Sequence, residues 1–326
     1  MGTKAVYLNN KYLTKICLII LIGAMSMATG CEMNRARYTF AMVSDIQYSS
    51  DGTPGLEKNL QSLDTLQRTI DHYNGKEMID SASYIGYARK PSFIVQLGDA
   101  IEGGENANAD LDKVLGVLDT AKAKKYHVLG NHDFNGLSRK TVMKKLGMKK
   151  AYYDFTKGKI RFVVLDTNDL SIMGGWPKAS TNYRSAADML EHLKQQEAAN
   201  AMEYNGAVGA DQKQWLKKVL AHAQKKKQKV VIFAHHPLLP EDDKYCLWNS
   251  GEIRDIIESY NCVAAYVNGH RHEDSYQWQN GVCYVTLEGL VESKDSNVYA
   301  VVWVYSDRLM IESTAQTPRL MIPLNR

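Results

Sequence analysis

The sequence has 326 residues, of which 44% are hydrophobic and 23% are charged, and its formal net charge is +4. These proportions are ordinary for a globular protein and allow one large domain or two small ones. Part of the charge lies in one run of lysines, Lys225, Lys226, Lys227 and Lys229, where a predicted helix ends and cations favour the negative end of its dipole. This modest excess argues against nucleic acid as a partner, because nucleic-acid-binding proteins concentrate basic residues on one face.

The first thirty residues have the pattern of an export signal. Lys11 and Lys15 precede an apolar run from Ile16 to Ala28, which is shorter than the roughly 20 residues of a membrane-spanning helix. The run closes on ATGC, which resembles a lipobox. We therefore expect residues 1–30 to be the signal peptide of an exported bacterial lipoprotein; the alternative is an uncleaved anchor helix with a chance cysteine.

The cysteines fit this interpretation. Cys31 would be lipidated after cleavage and would hold the protein at a membrane through a short tether, residues 31–37. Apart from Cys17 in the leader, three cysteines remain: Cys246, Cys262 and Cys283. Their spacing does not suggest a zinc site, so we expect buried free thiols, with one disulfide as the alternative.

Predicted strands and helices alternate over most of the remaining chain. Short apolar runs predict strands over 38–46, 93–97, 126–129, 161–166, 230–234 and 263–268. Amphipathic segments predict helices over 56–73, 109–122, 138–146, 211–226 and 251–260. This alternation is typical of an α/β fold in which helices cover the faces of a sheet.

After the last predicted helix the pattern indicates strands alone. Three alternating segments follow, at 277–287, 298–305 and 309–313. The first is interrupted by Asn280-Gly281, a strong hairpin signal. These segments predict a second sheet packed on the first. Because no repeat or low-complexity linker interrupts the pattern, we expect residues 38–326 to form a single domain.

Most predicted strands of the alternating region end in polar groups that can bind a metal, and in α/β folds such loops carry the functional site. The candidates are Asp45, Gln47, Asp99, Asn131, His132, Asp133, His235, His270 and His272. Taken alone, such an aspartate is more often a helix cap and such a histidine pair more often lies on the surface. Their order, and the glycines Gly98, Gly130 and Gly269 that permit sharp turns, make the set specific.

The motifs D-x-Q, GD, GNHD, HHP and GHxH resemble the signature of the calcineurin-like metallophosphoesterases. The resemblance implies a four-layer αββα sandwich of two mixed β-sheets flanked by helices. It also implies two metal ions bridged by Asp99. One would be held by Asp45, Asp99, His272 and Gln47, and the other by Asp99, Asn131, His235 and His270. His132 would meet the leaving group or the transferring phosphoryl group, and Asp133 would orient its ring.

Two divalent ions roughly 3.5 to 4 Å apart can share a hydroxide and hold both oxygens of an in-line displacement at phosphorus. The bound water then needs no protein base, but the departing oxygen needs a proton, which His132 can donate. Where the commoner family pattern has a histidine, this chain has Gln47. The more oxygen-rich ligand set favours manganese or magnesium over zinc or iron.

Further stretches resemble the manganese-dependent ADP-ribose/CDP-alcohol diphosphatases, from about Tyr38 to Ser313. They include FIVQLGDAIEG, HVLGNHDF, YNGAVGADQKQWLKKVL, CLWN and VTLEGLVES. The resemblance implies hydrolysis of a phosphoanhydride between a nucleoside and an alcohol or sugar, as in ADP-ribose and CDP-choline. A broad-specificity phosphomonoesterase or phosphodiesterase is the enzymatic alternative. A non-catalytic surface lipoprotein that binds a nucleotide or glycan is the alternative of another class, and a nuclease ranks last.

Several positions leave questions open. That branch carries a paired arginine and tyrosine after D-x-Q, whereas this chain has only Lys58 there, which cannot reproduce a planar fork. Arg271 in GHRH contributes charge at the site rim or faces solvent. Tyr204 and Asn205 belong to a substrate loop or to a simple turn before a helix. Trp248 stacks on a base or packs in the core.

Overall fold

A computed structural model describes residues 35–52, 55–75, 90–293, 300–313 and 319–325. The predicted signal peptide and the predicted lipidation site at Cys31 lie outside these residues. Within the described ranges, no helix is both long enough and apolar enough to cross a membrane. Cys246, Cys262 and Cys283 are buried free thiols, as the sequence predicts.

The described elements are mainly short strands connected by helices. The strands are β1 (Tyr38–Val43), β2 (Phe93–Gln96), β3 (Lys124–His127), β4 (Tyr153–Lys157), β5 (Ile160–Val164), β6 (Lys229–Phe233), β7 (Val263–Asn268), β8 (Ser275–Gln279), β9 (Val282–Thr286), β10 (Ala300–Val304), β11 (Arg308–Ser313) and β12 (Arg319–Pro323). The helices are α1 (Glu57–Tyr73), α2 (Ala107–Asp119), α3 (Arg139–Lys145), α4 (Thr181–Gln195), α5 (Ala210–Lys225) and α6 (Ser250–Glu258). Two short 3-10 helices cover His132–Phe134 and Leu290–Glu292.

These strands form two mixed sheets of six strands each. The first has the order β12-β11-β10-β1-β2-β3 and the second has the order β4-β5-β6-β7-β9-β8. Strands β1, β2 and β3 run parallel to one another, and so do β5, β6, β7 and β9. The carboxyl ends of the central strands in each sheet therefore lie at a common edge, where their loops can meet.

The distribution of the last strands differs from the sequence prediction. They do not form a second sheet by themselves, because β10 pairs antiparallel with β1, with Tyr38 opposite Val304. The predicted hairpin of β8 and β9 exists but extends the other sheet. Alternation identifies a strand, whereas the sheet edge that it joins depends on the open edges that the rest of the fold leaves.

Three apolar layers hold the sandwich together. Between the sheets, the rings of Phe40 and Phe93 stack with centroids 4.8 Å apart, and Phe162 meets Phe40 edge-on at 5.3 Å. On the outer face of the first sheet, α1 and α2 pack through residues such as Ile70. Helices α5 and α6 cover the second sheet through residues such as Leu216. These layers form the four-layer αββα sandwich that the family resemblance implies.

Three elements were missing from the sequence prediction. Strand β4 is an edge strand whose residues are mostly half-buried, so it lacks the apolar run of a central strand. Helix α4 buries only Ala186 and Leu190, so its apolar periodicity is weak. A local cap compensates, because the Ser180 hydroxyl accepts a hydrogen bond from the amide of Tyr183 at 3.2 Å. Strand β12 likewise buries alternate residues only.

A buried arginine fixes the loop that follows β5. The Arg139 guanidinium is paired with Asp166 and donates to the carbonyls of Asn168 and Gly174 at 3.3 and 2.8 Å. It also lies 4.3 Å from the ring of Trp176. The interactions of this one side chain therefore connect α3 to the loop between β5 and α4.

Replacing Arg139 with methionine should lower the free energy of unfolding by about 3 to 5 kcal/mol, because Asp166 would remain buried without its cation. Chemical denaturation monitored by circular dichroism measures this. The matched control is Lys213→Met, which breaks the more exposed ion pair with Glu252 and should cost less than about 1 kcal/mol. Equal losses in the two variants would contradict a structural role for the buried pair.

Candidate metal centre

The candidate site residues share an unusual backbone conformation. The torsion φ is positive at Asp45 (48°), Gln47 (43°), Asp99 (53°), His270 (69°) and His272 (66°). Only three other described residues besides glycine have this conformation. A side chain in the left-handed region costs on the order of 1 to 3 kcal/mol and persists where the surroundings enforce it, commonly at functional sites. The strain is thus concentrated where the loops turn their side chains towards one point.

Glycines allow these loops to approach one another closely. A Cβ atom on Gly130 would lie 2.0 Å from the Asp99 carboxylate oxygen, and one on Gly269 would lie 2.3 Å from the Asp45 carboxylate oxygen. No other residue fits at either position without moving a candidate ligand.

His235 presents its Nε2 atom to the centre of the site. Its Nδ1 lies 2.9 Å from the Leu97 carbonyl, which can only accept, so Nδ1 carries a hydrogen and Nε2 is the nitrogen left to bind a metal ion or a second proton. Nε2 is 3.1 Å from both Asn131 Oδ1 and Asp99 Oδ2. Burial opposes a charge on this ring, but the Asp99 carboxylate outweighs it and raises the pKa of His235 to about 9. The surroundings therefore favour a positive charge at this point.

His270 presents the opposite nitrogen to the same point. Its Nδ1 lies 3.2 Å from Nε2 of His235, and its Nε2 lies 3.0 Å from Oδ1 of Asn205. The Asn205 amide nitrogen donates to two backbone carbonyls, so its oxygen must accept from His270 Nε2. Burial holds the pKa of His270 well below its usual range, which keeps Nδ1 free of a proton.

The arrangement fits a metal ion. Two imidazole lone pairs and the oxygens of Asp99 and Asn131 converge, and the hydrogens of both rings are bonded on their far sides. Asp99, His235 and His270 each offer a ligand atom within 4.8 Å of the others. Two imidazole nitrogens, a carboxylate and an amide oxygen that face one point are a donor set typical of a metal centre, and a cation between them would relieve the repulsion among them.

A second group of donors adjoins the first on the other side of Asp99. The Gln47 amide nitrogen lies 3.5 Å from Asp99 Oδ2, and Nε2 of His272 lies 3.6 Å from Asp45 Oδ1. The Asp45 carboxylate also accepts from the His270 amide at 3.1 Å. The structure thus brings all seven sequence-predicted ligand candidates together, with Asp99 between the two groups.

Glu292 orients the outer histidine of this second group. Its carboxylate lies 3.3 Å from Nδ1 of His272 and 2.5 Å from the Lys58 ammonium. Lys58 therefore does not replace the missing arginine as a free phosphate ligand. Lys58 instead supports His272 through Glu292. The sequence did not predict Glu292 as a site residue.

His132 also faces the site, but its predicted partner was wrong. The Asp133 carboxylate accepts from the amides of Ala100 and Gly130, at 2.7 and 2.9 Å, and so joins two loops rather than orienting the ring. Glu102 takes that role, with its carboxylate 3.3 Å from His132 Nδ1. Both oxygens of Asp133 are engaged by these two amides, so its carboxylate is committed to the backbone and not to the neighbouring ring.

The charges around His132 favour its protonated form. Burial lowers its proton affinity, but the carboxylates of Asp99 and Glu102 outweigh this and raise the pKa of His132 to about 10. The Glu102 contribution does not depend on what binds Asp99. With Nδ1 bonded to Glu102, Nε2 is the nitrogen that can donate to a bound molecule.

A cavity of about 640 Å³ opens above these groups. Tyr204 and Tyr245 line one wall, with ring centroids 5.7 Å apart, and Arg271 lies at the rim, paired with Asp243 at 2.9 Å. Trp248 is not part of the cavity: it is 4% exposed and its indole donates to the Met202 carbonyl. The open question about Trp248 is thus decided in favour of core packing.

A two-sheet sandwich with a double set of donors where parallel strands end defines a dinuclear metal-dependent hydrolase. The chain matches the calcineurin-like phosphoesterase family model over residues 38–274 and belongs to that family. The family expected from the sequence motifs is therefore confirmed.

Similar proteins include two named manganese-dependent ADP-ribose/CDP-alcohol diphosphatase. The one from Bos taurus is 28% identical over 330 residues, covering 88% of this chain and 94% of that protein. The one from Homo sapiens is 28% identical over 323 residues, covering 86% and 91%. A solved dimetal phosphatase from Danio rerio is 25% identical, with a TM-score of 0.77, and the match covers 89% of this chain and 100% of that chain.

Replacing Glu102 with glutamine should reduce kcat about 10- to 100-fold, because His132 would lose the charge that keeps it protonated. The basic limb of the kcat against pH profile should move to lower pH, since the pKa of His132 falls. Steady-state kinetics from pH 5 to about 10 measure both effects. An unchanged pH profile would contradict the role of Glu102, and His132→Ala supplies the comparison in which this limb is absent.

Replacing Asn205 with alanine should weaken metal binding about 10- to 100-fold, because His270 would lose the acceptor that fixes its tautomer. Titration calorimetry with Mn²⁺ measures the affinity directly. Asn249→Ala is the matched control, since that amide bonds to the backbone of Val208 and lies outside the site. Equal Mn²⁺ affinities in the two variants would contradict the proposed effect on His270.

Proposed function

We propose that this protein hydrolyses the phosphoanhydride of nucleoside diphosphates linked to an alcohol or sugar, of the ADP-ribose or CDP-choline type, using two divalent metal ions. The observation that carries the proposal is the convergence of the inward nitrogens of His235 and His270 with Asp99 and Asn131, at the place where Asp99 and His270 line the cavity. The names of the similar proteins support this substrate class.

We assign the ligands in two groups. One ion would be held by Asp45, Gln47, Asp99 and His272, and the other by Asp99, Asn131, His235 and His270. The first group is rich in oxygen, which favours manganese, with magnesium next and iron or zinc after it. When bound, such a pair of ions activates a water molecule and stabilises charge on the transferring phosphoryl group.

The chain supplies the remaining chemistry. His132, held in its protonated form by Glu102, donates a proton from Nε2 to the departing phosphate oxygen. The Asp133 carboxylate keeps the Asp99 and Asn131 loops in register through Ala100 and Gly130. The fixed loops leave the donors little freedom to reorganise during the reaction.

The cavity wall supports a nucleotide rather than a simple phosphomonoester. Tyr204 and Tyr245 present aromatic surface beside the candidate ligands, and the planar face of a base stacks well on such rings. Half of the proposed substrate would thus bind away from the reacting phosphorus.

We also propose that the protein is an exported lipoprotein, tethered to a membrane through Cys31. The support is the lipobox-like ATGC that follows a short apolar run. In a bacterial host, Cys31→Ser should move the protein from the membrane fraction to the soluble fraction, and an unchanged distribution would contradict the tether.

With Mn²⁺ present, kcat/KM on ADP-ribose and CDP-choline should exceed that on a nucleoside monophosphate and on an aryl phosphate by at least about tenfold. The expected difference arises because a nucleoside monophosphate lacks the diphosphate, and an aryl phosphate also lacks the base that would contact the tyrosines. Colorimetric phosphate release, coupled to a phosphatase for the diphosphates, measures all four rates. A flat profile would indicate a broad-specificity phosphoesterase, and no hydrolysis of any compound would indicate a binding protein.

A further inference from the structure

Basic side chains collect at the end of the sandwich where the parallel strands begin, opposite the cavity. The basic face, as we define it, comprises Arg37, Lys159, Lys226, Lys227 and Lys229. Two shallow cavities of about 260 and 530 Å³ lie on it and share Lys159 and Lys227. The face is therefore one continuous surface rather than scattered charges.

Backbone contacts bring these residues together from distant parts of the chain. The Lys229 amide donates to the Lys159 carbonyl at 3.1 Å, which joins the start of β6 to the turn between β4 and β5. The Arg37 amide donates to Val304 at 2.7 Å, and Tyr38 donates its hydroxyl to the Lys157 carbonyl at 3.0 Å. The lysine run at the end of α5 thus gains neighbours that its local sequence does not show.

The charge of the basic face is not balanced locally. None of its five side chains forms an ion pair with an acidic residue that the structure describes. The nearby acids Asp154 and Asp307 are paired with Arg161 and Arg308, at 2.6 and 3.0 Å. The face therefore presents a net positive charge to its surroundings.

The tether proposed above would begin at this face. Five residues lie between Cys31 and Arg37, so the lipidated cysteine could lie at most about 20 Å from the face. Strand β1 then runs away from it for six residues, about 20 Å, before reaching Asp45. A lipid anchor at Cys31 would bring the basic face, and not the cavity, to the bilayer.

We propose that the basic face rests on an anionic phospholipid surface, so that the domain stands on the membrane with its catalytic cavity directed away from the bilayer. The proposal rests on the proposed tether for proximity and on charge complementarity for orientation. Lysine and arginine side chains within a Debye length of anionic headgroups are attracted to them, and salt weakens that attraction.

The test is lysine acylation of the full chain, bound to phosphatidylcholine vesicles with or without phosphatidylglycerol and read by mass spectrometry. Lys159 and Lys229 should become several-fold less reactive on the anionic vesicles only, and 1 M NaCl should reverse the protection. The exposed residues Lys140 and Lys178, beside loops at the cavity end, should not change.

Matched double variants separate this face from net charge. Lys226→Glu with Lys227→Glu should abolish the protection of Lys159, whereas Lys140→Glu with Lys178→Glu, which changes the net charge equally, should preserve it. Equal protection on neutral vesicles, protection of Lys140, or stronger protection by a DNA duplex would overturn the proposal. Failure to float with neutral vesicles would instead refute the tether, because electrostatic binding to anionic vesicles does not require it.

Discussion

The site depends on two imidazole rings whose inward nitrogens, Nε2 of His235 and Nδ1 of His270, are directed at the same point. His235 is fixed by the Leu97 carbonyl and His270 by the Asn205 amide, so neither ring can relieve the conflict by moving its hydrogen. Asp99 adds negative charge at the same place. A metal ion at this point would satisfy all of these groups together.

The surrounding fold holds this arrangement at a cost in local strain. Left-handed backbone at Asp45, Asp99 and His270 and the close approach at Gly130 persist because three apolar layers hold the strands beneath them. Supporting residues occupy the same loops: Glu102 beside His132, Glu292 beside His272 and Asn205 beside His270. Strand direction also gives the molecule two different ends, with the donors where the parallel strands finish and the basic face where they start.

Much of the fold and most of the site could be predicted from the sequence, because strand-length apolar runs and the motifs at their ends are local patterns. The α/β class and the pattern of alternating elements follow from such patterns, and the resemblance to a known family selects seven candidate ligands among the polar groups at the strand ends. Edge strand β4 and helix α4 escaped prediction because they bury too few residues to show a period. The predicted partner of His132, Asp133, was wrong because a residue adjacent in sequence need not face its neighbour.

The sequence by itself determined which residues are able to bind metal and the order in which they occur, since side-chain chemistry belongs to each residue separately. Only the tertiary structure decided which sheet β10 joins and which nitrogens of His235 and His270 face the site. It also decided that Arg37 and Lys159 lie beside the lysines that follow α5. Each of these depends on contacts between segments far apart in the chain, and such contacts exist only once the strands have paired.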